Sequence, residues 1–169
     1  ISPTRFYVQE NVYKKFLTRF TEYANNVKLG DGLEKGITMG PMANSRRLDA
    51  MDSFVADAKS RGGKVQTGGS RRGNQGYFFQ PTVLTDVPLS ARIQNEEPFG
   101  PVAAVSRFGD LRIAYPHPDA LGADRFLALL GARARGSGPW LLVGIGTAIT
   151  LDLLDAKGRH RGGRIAPSP

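Results

Sequence analysis

The amino-acid usage of this chain changes abruptly near Asp110, and one uniform domain does not explain the change. All five Glu, all six Asn and all five Gln lie at or before Glu97, and the last 72 residues contain none of the three. Lys falls from six in residues 1–110 to one afterwards and Phe from eight to one, while Arg stays frequent. Local variation is ordinary, but the joint loss of three common polar residue types is a large departure from average composition. The 169 residues are therefore read as two parts, 1–110 and 111–169. The second, of 59 residues, buries little surface and is marginal by itself. It needs the first part, a second copy or a partner chain to complete its fold.

Charge and composition exclude several classes. The net charge is +8, with 15 basic and 11 acidic side chains before the break and 8 and 4 after it, so each part contributes +4. Short basic clusters occur at Arg46-Arg47, Arg71-Arg72 and Arg159 to Arg164, but no aromatic residues interleave with them, and nucleic acid is not an expected partner. No apolar run approaches the ~20 residues of a bilayer span and the first residues lack a signal-peptide pattern, so the expectation is a cytoplasmic protein with no membrane association. Zero cysteine removes disulfides, thiolate metal sites and a thiol nucleophile. No resident metal site is expected, and partners are small molecules at most.

The pattern of apolar residues predicts an α/β arrangement. Arg5 to Gln9 alternates as a strand. Asn11 suits the cap of a helix whose Val12, Phe16, Phe20, Tyr23 and Val27 share one face, with Gly30 at its stop. Leu29 to Pro41 reads as a loop. Asn44 or Ser45 caps a second helix that buries Leu48, Met51, Val55 and Ala58 and ends at Gly62-Gly63, followed by a strand from Lys64 to Thr67. Gly68 to Gly76 is glycine-rich and basic; a phosphate cradle would need a Gly-Lys-Ser/Thr ending and a helix behind it, so a surface connection is the reading. Tyr77 to Val87 is extended around Pro81, and Val102 to Phe108 is a strand buried on both faces. After the break, Tyr115 to Pro118 is not helical. Asp119 suits the cap of a helix to about Ala134, with Leu121, Phe126, Leu127, Leu130 and Ala134 apolar. Gly136 to Pro139 is a turn. Trp140 to Ile145, Ala148 to Leu154 and Arg159 to Ala166 read as strands, the last two joined by a hairpin at Asp155-Ala156-Lys157-Gly158. Val102 to Phe108 could also pair with these later strands and merge the two parts into one sheet.

Several motifs stand in order in the first part: Pro3-Thr4-Arg5, Gly40-Pro41-Met42, Gln80-Pro81-Thr82-Val83-Leu84 and Glu96-Glu97-Pro98-Phe99-Gly100-Pro101-Val102. Through them residues 2–109 resemble the aldehyde dehydrogenase superfamily, in its catalytic domain, most like the succinate-semialdehyde and related branch. The resemblance implies that Glu97 accepts from the nicotinamide ribose hydroxyls of NAD or NADP and that Phe99 packs at the nicotinamide ring. Without the motif, Glu96 and Glu97 would read as a solvated loop and Phe99 as core packing. The family's chemistry opens with thiolate attack on the aldehyde. Its thiol precedes the Pro-Thr-Arg motif, and the sequence begins at Ile1 without it. The dinucleotide-binding domain and the general base also lie upstream in the family.

The second part carries Arg112-Ile113-Ala114-Tyr115-Pro116, Leu121-Gly122-Ala123-Asp124-Arg125, Gly146-Thr147-Ala148-Ile149-Thr150-Leu151-Asp152 and Gly162-Gly163-Arg164-Ile165. In this order they resemble type III pantothenate kinase, a member of the actin-like ATPase (ribonuclease-H-like) superfamily. The resemblance implies Asp124 as general base toward the pantothenate hydroxyl, Arg125 as the grip on the pantothenate carboxylate, and Gly146, Thr147 and Ala148 along the phosphates of ATP, which would come with a divalent cation. Apart from the family, Asp124-Arg125 also suits an exposed pair at a helix start, and Gly146 a simple turn. Gly144 stands where the family has an acidic residue, and Pro167-Ser168 where it has Pro-Gly. Residues 111–169 are expected to carry neither the family's amino-terminal phosphate loop nor its carboxy-terminal ATPase half.

The expectation is a composite: a partial aldehyde-dehydrogenase-like catalytic domain joined to a β-rich piece of a pantothenate kinase, catalytically inactive as written, with no cofactor bound productively. Two other outcomes stay open, residual NAD(P) binding of the dehydrogenase type and a pantothenate-binding module of the kinase type.

Overall fold

The computed structural model describes residues 3–109, 111–117 and 121–168. Asp110, where the composition breaks, and Pro118 and Asp119 lie outside them. The chain divides into two compact units, Ile1–Arg107 and Phe108–Pro169, and among the described residues the strands form two separate sheets. The strand Val102–Phe108 pairs only in the first of these, so the merged sheet is not formed.

In the first unit the strands β1 (Arg5–Gln9), β2 (Lys64–Thr67), β3 (Thr82–Thr85) and β4 (Val102–Phe108) lie in the order β1-β4-β3-β2. The parallel pair β3–β4 is central, and β2 runs antiparallel to β3. Alternate side chains of β3 and β4 point to opposite faces. Leu84, Val102 and Ala104 join Leu48, Met51, Phe54, Val55 and Ala58 of α2 (Ser45–Ser60). Val83 and Val105 meet Val8, Tyr13 and Ala24 on the side of α1 (Glu10–Asn26). A helix on each face explains why β3 and the first half of β4 are buried on both sides and read as apolar runs. Each large side chain closed off in this way, such as Met51 or Leu84, stabilises the unit by about 1.5–3 kcal/mol.

Helix α2 follows its sequence signals. Asn44 is the N-cap, its side-chain oxygen accepting from the Arg47 N–H at 3.2 Å. At the far end Gly62 takes a left-handed φ of 92°. Its N–H bonds to the Lys59 carbonyl, and that of Gly63 to the Ala58 carbonyl, closing a Schellman motif. Helix α1 departs from the expectation. It begins at Glu10, one residue before Asn11, with no side-chain cap. Its buried face is Tyr13 and Ala24, with Phe16, Leu17 and Phe20 packed beside them, while Val12 and Tyr23 are exposed. Phe16 and Phe20 pack as expected, clustered with Phe6 of β1, but the face around them takes in Tyr13, Leu17 and Ala24 in place of Val12 and Tyr23. The helix ends at Asn26 with an extended Val27, so Gly30 is not its stop. Gly30 packs against Ile37 inside the loop that follows. A short helix α3 (Arg92–Asn95), with Ile93 fully buried, was not foreseen.

In the second unit α4 (Ala123–Arg135) packs on a three-stranded antiparallel meander of β5 (Trp140–Ile145), β6 (Ala148–Leu154) and β7 (His160–Pro167). The helix starts at Ala123 with Gly122 at its N-cap and no side-chain cap. Its buried positions are Arg125, Leu129, Leu130 and Ala132, whereas Leu127 and Ala134 are exposed. The β6–β7 turn is the anticipated hairpin: the Asp155 carboxylate accepts from the N–H groups of Lys157 and Arg159, each at 2.9 Å. The small core of Leu111, Leu121, Leu129, Leu130 and Leu154 is finished by Phe108, Tyr115, Phe126 and Trp140.

Candidate functional sites

In the first unit the loop after α3 is built to hold one shape. Arg92 donates from Nε and Nη2 to the two carboxylate oxygens of Glu96 at 2.8 and 2.9 Å, and Nη1 donates to Ser53 Oγ. The same guanidinium lies 4.7 Å from the centre of the Phe54 ring, and the Arg92 N–H donates to Asp57. Arg92 holds the Glu96 carboxyl below the ordinary range, so Glu96 is a fixed anion that positions the loop. The adjacent Glu97 is exposed, and among the described residues its carboxylate pairs with no cation. Pro98 is fully buried. A Cβ at Gly100 would run into the ends of the Met51 and Met42 side chains, so glycine lets the backbone lie close on α2 without displacing them.

Between these two anchors Phe99 has a φ of 47° and is 69% exposed. A large aromatic residue in the left-handed region is strained, and such strain persists only where the surroundings impose it. The result is a rigid projection carrying a free carboxylate and an exposed ring, chemically suited to a hydroxyl-bearing ligand with a flat face. Core packing for Phe99 is ruled out. The Arg92–Glu96 grip is not part of the sequence reading; its signal is the four-residue spacing of opposite charges, from the first residue of a short helix to its C-cap. The glycine-rich segment from Gly68 to Gly76 is no anion cradle. Arg71 is held by Asp49 and Asp52, and Arg72 donates to the Leu29 carbonyl.

In the second unit Asp124 sits exposed in the first turn of α4. Arg125, one residue on, turns inward and is only 8% exposed. Its Nε and Nη2 donate to Asp152 Oδ2 and Oδ1 at 2.8 and 2.6 Å, and Nη2 also reaches the Tyr115 hydroxyl at 3.1 Å. His160 Nε2 lies 2.8 Å from Asp152 Oδ1, and its ring meets Tyr115 edge-on. Burial pushes the Asp152 carboxyl up, but hydrogen bonds from Arg125 and His160 and the Arg125 charge outweigh it and leave the carboxyl below its usual range. The Asp152 bond raises Arg125 further above its already high value. Gly163 closes the cluster, since a Cβ there would collide with Asp152 Oδ1 and Arg125 Nη2. The fork expected to hold a substrate carboxylate is thus occupied by a carboxylate of the protein, and an exposed Asp124-Arg125 pair is not what forms.

Gly146 and Thr147 form the exposed turn between β5 and β6, closed by the Gly146 N–H donating to the Ala148 carbonyl at 3.2 Å. From Ala148 to Asp152 is about 13 Å along the strand. The turn and the Asp124-Arg125 region therefore mark two places, not one. At Gly144 a Cβ would lie 2.5 Å from Thr150 Oγ1, so an acidic side chain there would require Thr150 to move.

A description of the aldehyde dehydrogenase family matches residues 1–115. The chain belongs to the aldehyde dehydrogenase family. The chain is 42% identical over 110 residues to a probable NADP-linked succinate-semialdehyde dehydrogenase of Sinorhizobium fredii, covering 65% of this chain and 22% of that protein. It is 38% identical over 110 residues to the corresponding Escherichia coli enzyme, covering 65% and 23%. The NAD+ complex of a Bacillus cereus aldehyde dehydrogenase superposes with a TM-score of 0.61 at 37% identity, covering 63% of this chain and 22% of that one. The chain thus spans about a fifth of the length of the relatives it matches. A second description, type III pantothenate kinase, matches residues 89–168 and overlaps the first over residues 89–115. Both resemblances seen in the sequence are found. None of the described helices is long and apolar enough to cross a membrane.

Proposed function

We propose that residues 1–110 supply the nicotinamide-side loop of an NAD(P)-linked aldehyde dehydrogenase catalytic domain, and that these 169 residues by themselves turn over neither aldehyde nor pantothenate. The observation that carries the first statement is the strained, exposed Phe99 beside the unpaired Glu97, fixed from both sides by Pro98 and Gly100. Glu97 accepts from ribose hydroxyls, and the Phe99 ring covers one face of the nicotinamide. The residues fit this edge of the cofactor and no more of it. NAD supplies the hydride acceptor when bound; Glu97 and Phe99 only orient it. With zero cysteine, the residues given hold no group that could add to an aldehyde as a thiolate.

The type III pantothenate kinase match supports a second, narrower reading. Asp124 is the group presented toward an alcohol, while Arg125, anchored on Asp152, fixes the turn that carries it. Among the described residues no three His, Asp or Glu side chains gather where they could hold a cation. A divalent cation would come with the phosphates of ATP and would need only one or two carboxylates of the protein.

Titration of NAD+ and NADP+ against the chain and its Glu97→Ala variant tests the first reading. Millimolar binding that weakens at least fivefold in the variant is expected, with no reduced nicotinamide formed from succinate semialdehyde. Identical titrations, or aldehyde-dependent turnover, would overturn it. Calorimetry with pantothenate on the chain and Asp124→Ala tests the second.

A further inference from the structure

The three-stranded sheet of the second unit is apolar on both faces but covered on one. The β6–β7 register places His160 and Gly163 with Asp152 and Leu154 on the face toward α4, where the buried Arg125 cluster lies. On the other face the β5–β6 register sets Leu141 opposite Leu153, Val143 opposite Leu151 and Ile145 opposite Ile149. These are three consecutive cross-strand pairs with six aliphatic side chains. Ile145 is 80% exposed, Leu141 66% and Val143 54%, and Leu151 and Leu153 are also open. The neighbouring strand adds Ala166 beside Ile149 and the exposed Arg164 beside Leu151. Strands that are half-buried in a stable two-layer unit alternate apolar with polar residues; β5 and β6 do not.

We infer that this aliphatic face is a self-association surface, covered by the same face of a second copy of the chain. Area supports a second copy. Six contiguous aliphatic side chains amount to on the order of 500 Å², at the top of the range for the largest apolar patch on a monomer. Two such patches brought together remove about 1,000 Å², the lower bound for a specific interface. Sheets stack face to face at about 10 Å, and the aliphatic side chains of two such faces interdigitate, with the exposed Arg164 on the edge strand β7 left at the rim of the patch. The dimer is a four-layer stack with α4 outermost on each side. This surface is independent of the Glu97–Phe99 loop and of any catalytic reading. Each copy carries a net charge of +8, so repulsion opposes the pairing and salt screens it.

Sedimentation equilibrium of the whole chain tests the inference. A monomer–dimer equilibrium in the micromolar range that tightens as salt rises is expected. Val143→Glu and Ile145→Glu, both at exposed positions, should each weaken it at least a hundredfold with unchanged circular dichroism. Ile165→Glu, exposed on the opposite face, should leave it within twofold. Because the chain has no cysteine, a single Val143→Cys is an unambiguous reporter: mild oxidation should give a covalent dimer, and Leu127→Cys on α4 should not. A monomer at all concentrations, open-ended assembly, or a dimer indifferent to both glutamate variants would each overturn the proposal.

Discussion

The two units keep their charges in opposite places. In the first, ion pairs such as Arg71 with Asp49 and Asp52, and Arg92 with Glu96, lie at the surface around a core that is almost wholly apolar. In the second, Arg125, Asp152 and His160 are nearly closed off from water beside a core of five leucines. An apolar core tolerates loss of one member by leaving a cavity. A buried charge cluster does not, because removing one partner strands the others without solvation. The first unit should therefore degrade gradually under substitution, and the second should fail at single positions.

The largest expected effect is Asp152→Ala, which leaves the Arg125 guanidinium buried and uncompensated. It should cost the second unit about 3–5 kcal/mol, seen as lost amide protection in residues 123–167 with protection retained in β3 and β4. Protection unchanged in both regions would break the comparison. Met51→Ala, in the middle of the first core, should cost about 2–5 kcal/mol and leave α4 protected. Gly163→Ala should cost about 1–3 kcal/mol by forcing a methyl against Asp152 and Arg125. Asn44→Ala should remove about 1 kcal/mol from α2. Breaking the exposed Arg71 pair with Asp49→Asn should change stability by about 1 kcal/mol at most.

Acid sharpens the same contrast. Asp152 has a folded pKa below its unfolded value of about 3.9. Its stabilisation is therefore present above that value and lost as pH falls through the folded pKa. The surface carboxylates Asp57 and Glu96 are lowered in the same direction, but solvent screens them. Thermal melts followed by amide signals should show the second unit losing stability before the first as pH is lowered below 4. The reverse order would contradict the comparison.

Much of the fold was legible where one local signal sufficed. Asn44 with its cap, Gly62-Gly63 with its stop and Asp155 with its hairpin needed no distant partner. What could not be read depended on packing. The buried face of α1 keeps Phe16 and Phe20 but takes in Tyr13 and Ala24 in place of Val12 and Tyr23, because it packs on Val8, Val83 and Val105 of strands distant in the sequence. The resemblance assigns Arg125 to a ligand, and nothing local shows that Asp152, 27 residues later, takes its fork. Glu97 and Phe99 were marked by a motif. Their exposure and the left-handed backbone at Phe99 came only with the structure, because they follow from Pro98 and Gly100 settling onto the core.

Saturation-transfer NMR of NAD+ with the whole chain tests the central claim about the Glu97–Phe99 loop most directly. Saturation should reach the nicotinamide-ring and adjoining ribose protons, and should disappear from them in both Glu97→Ala and Phe99→Ala. Saturation confined to the adenine protons, or unaffected by either substitution, would contradict it.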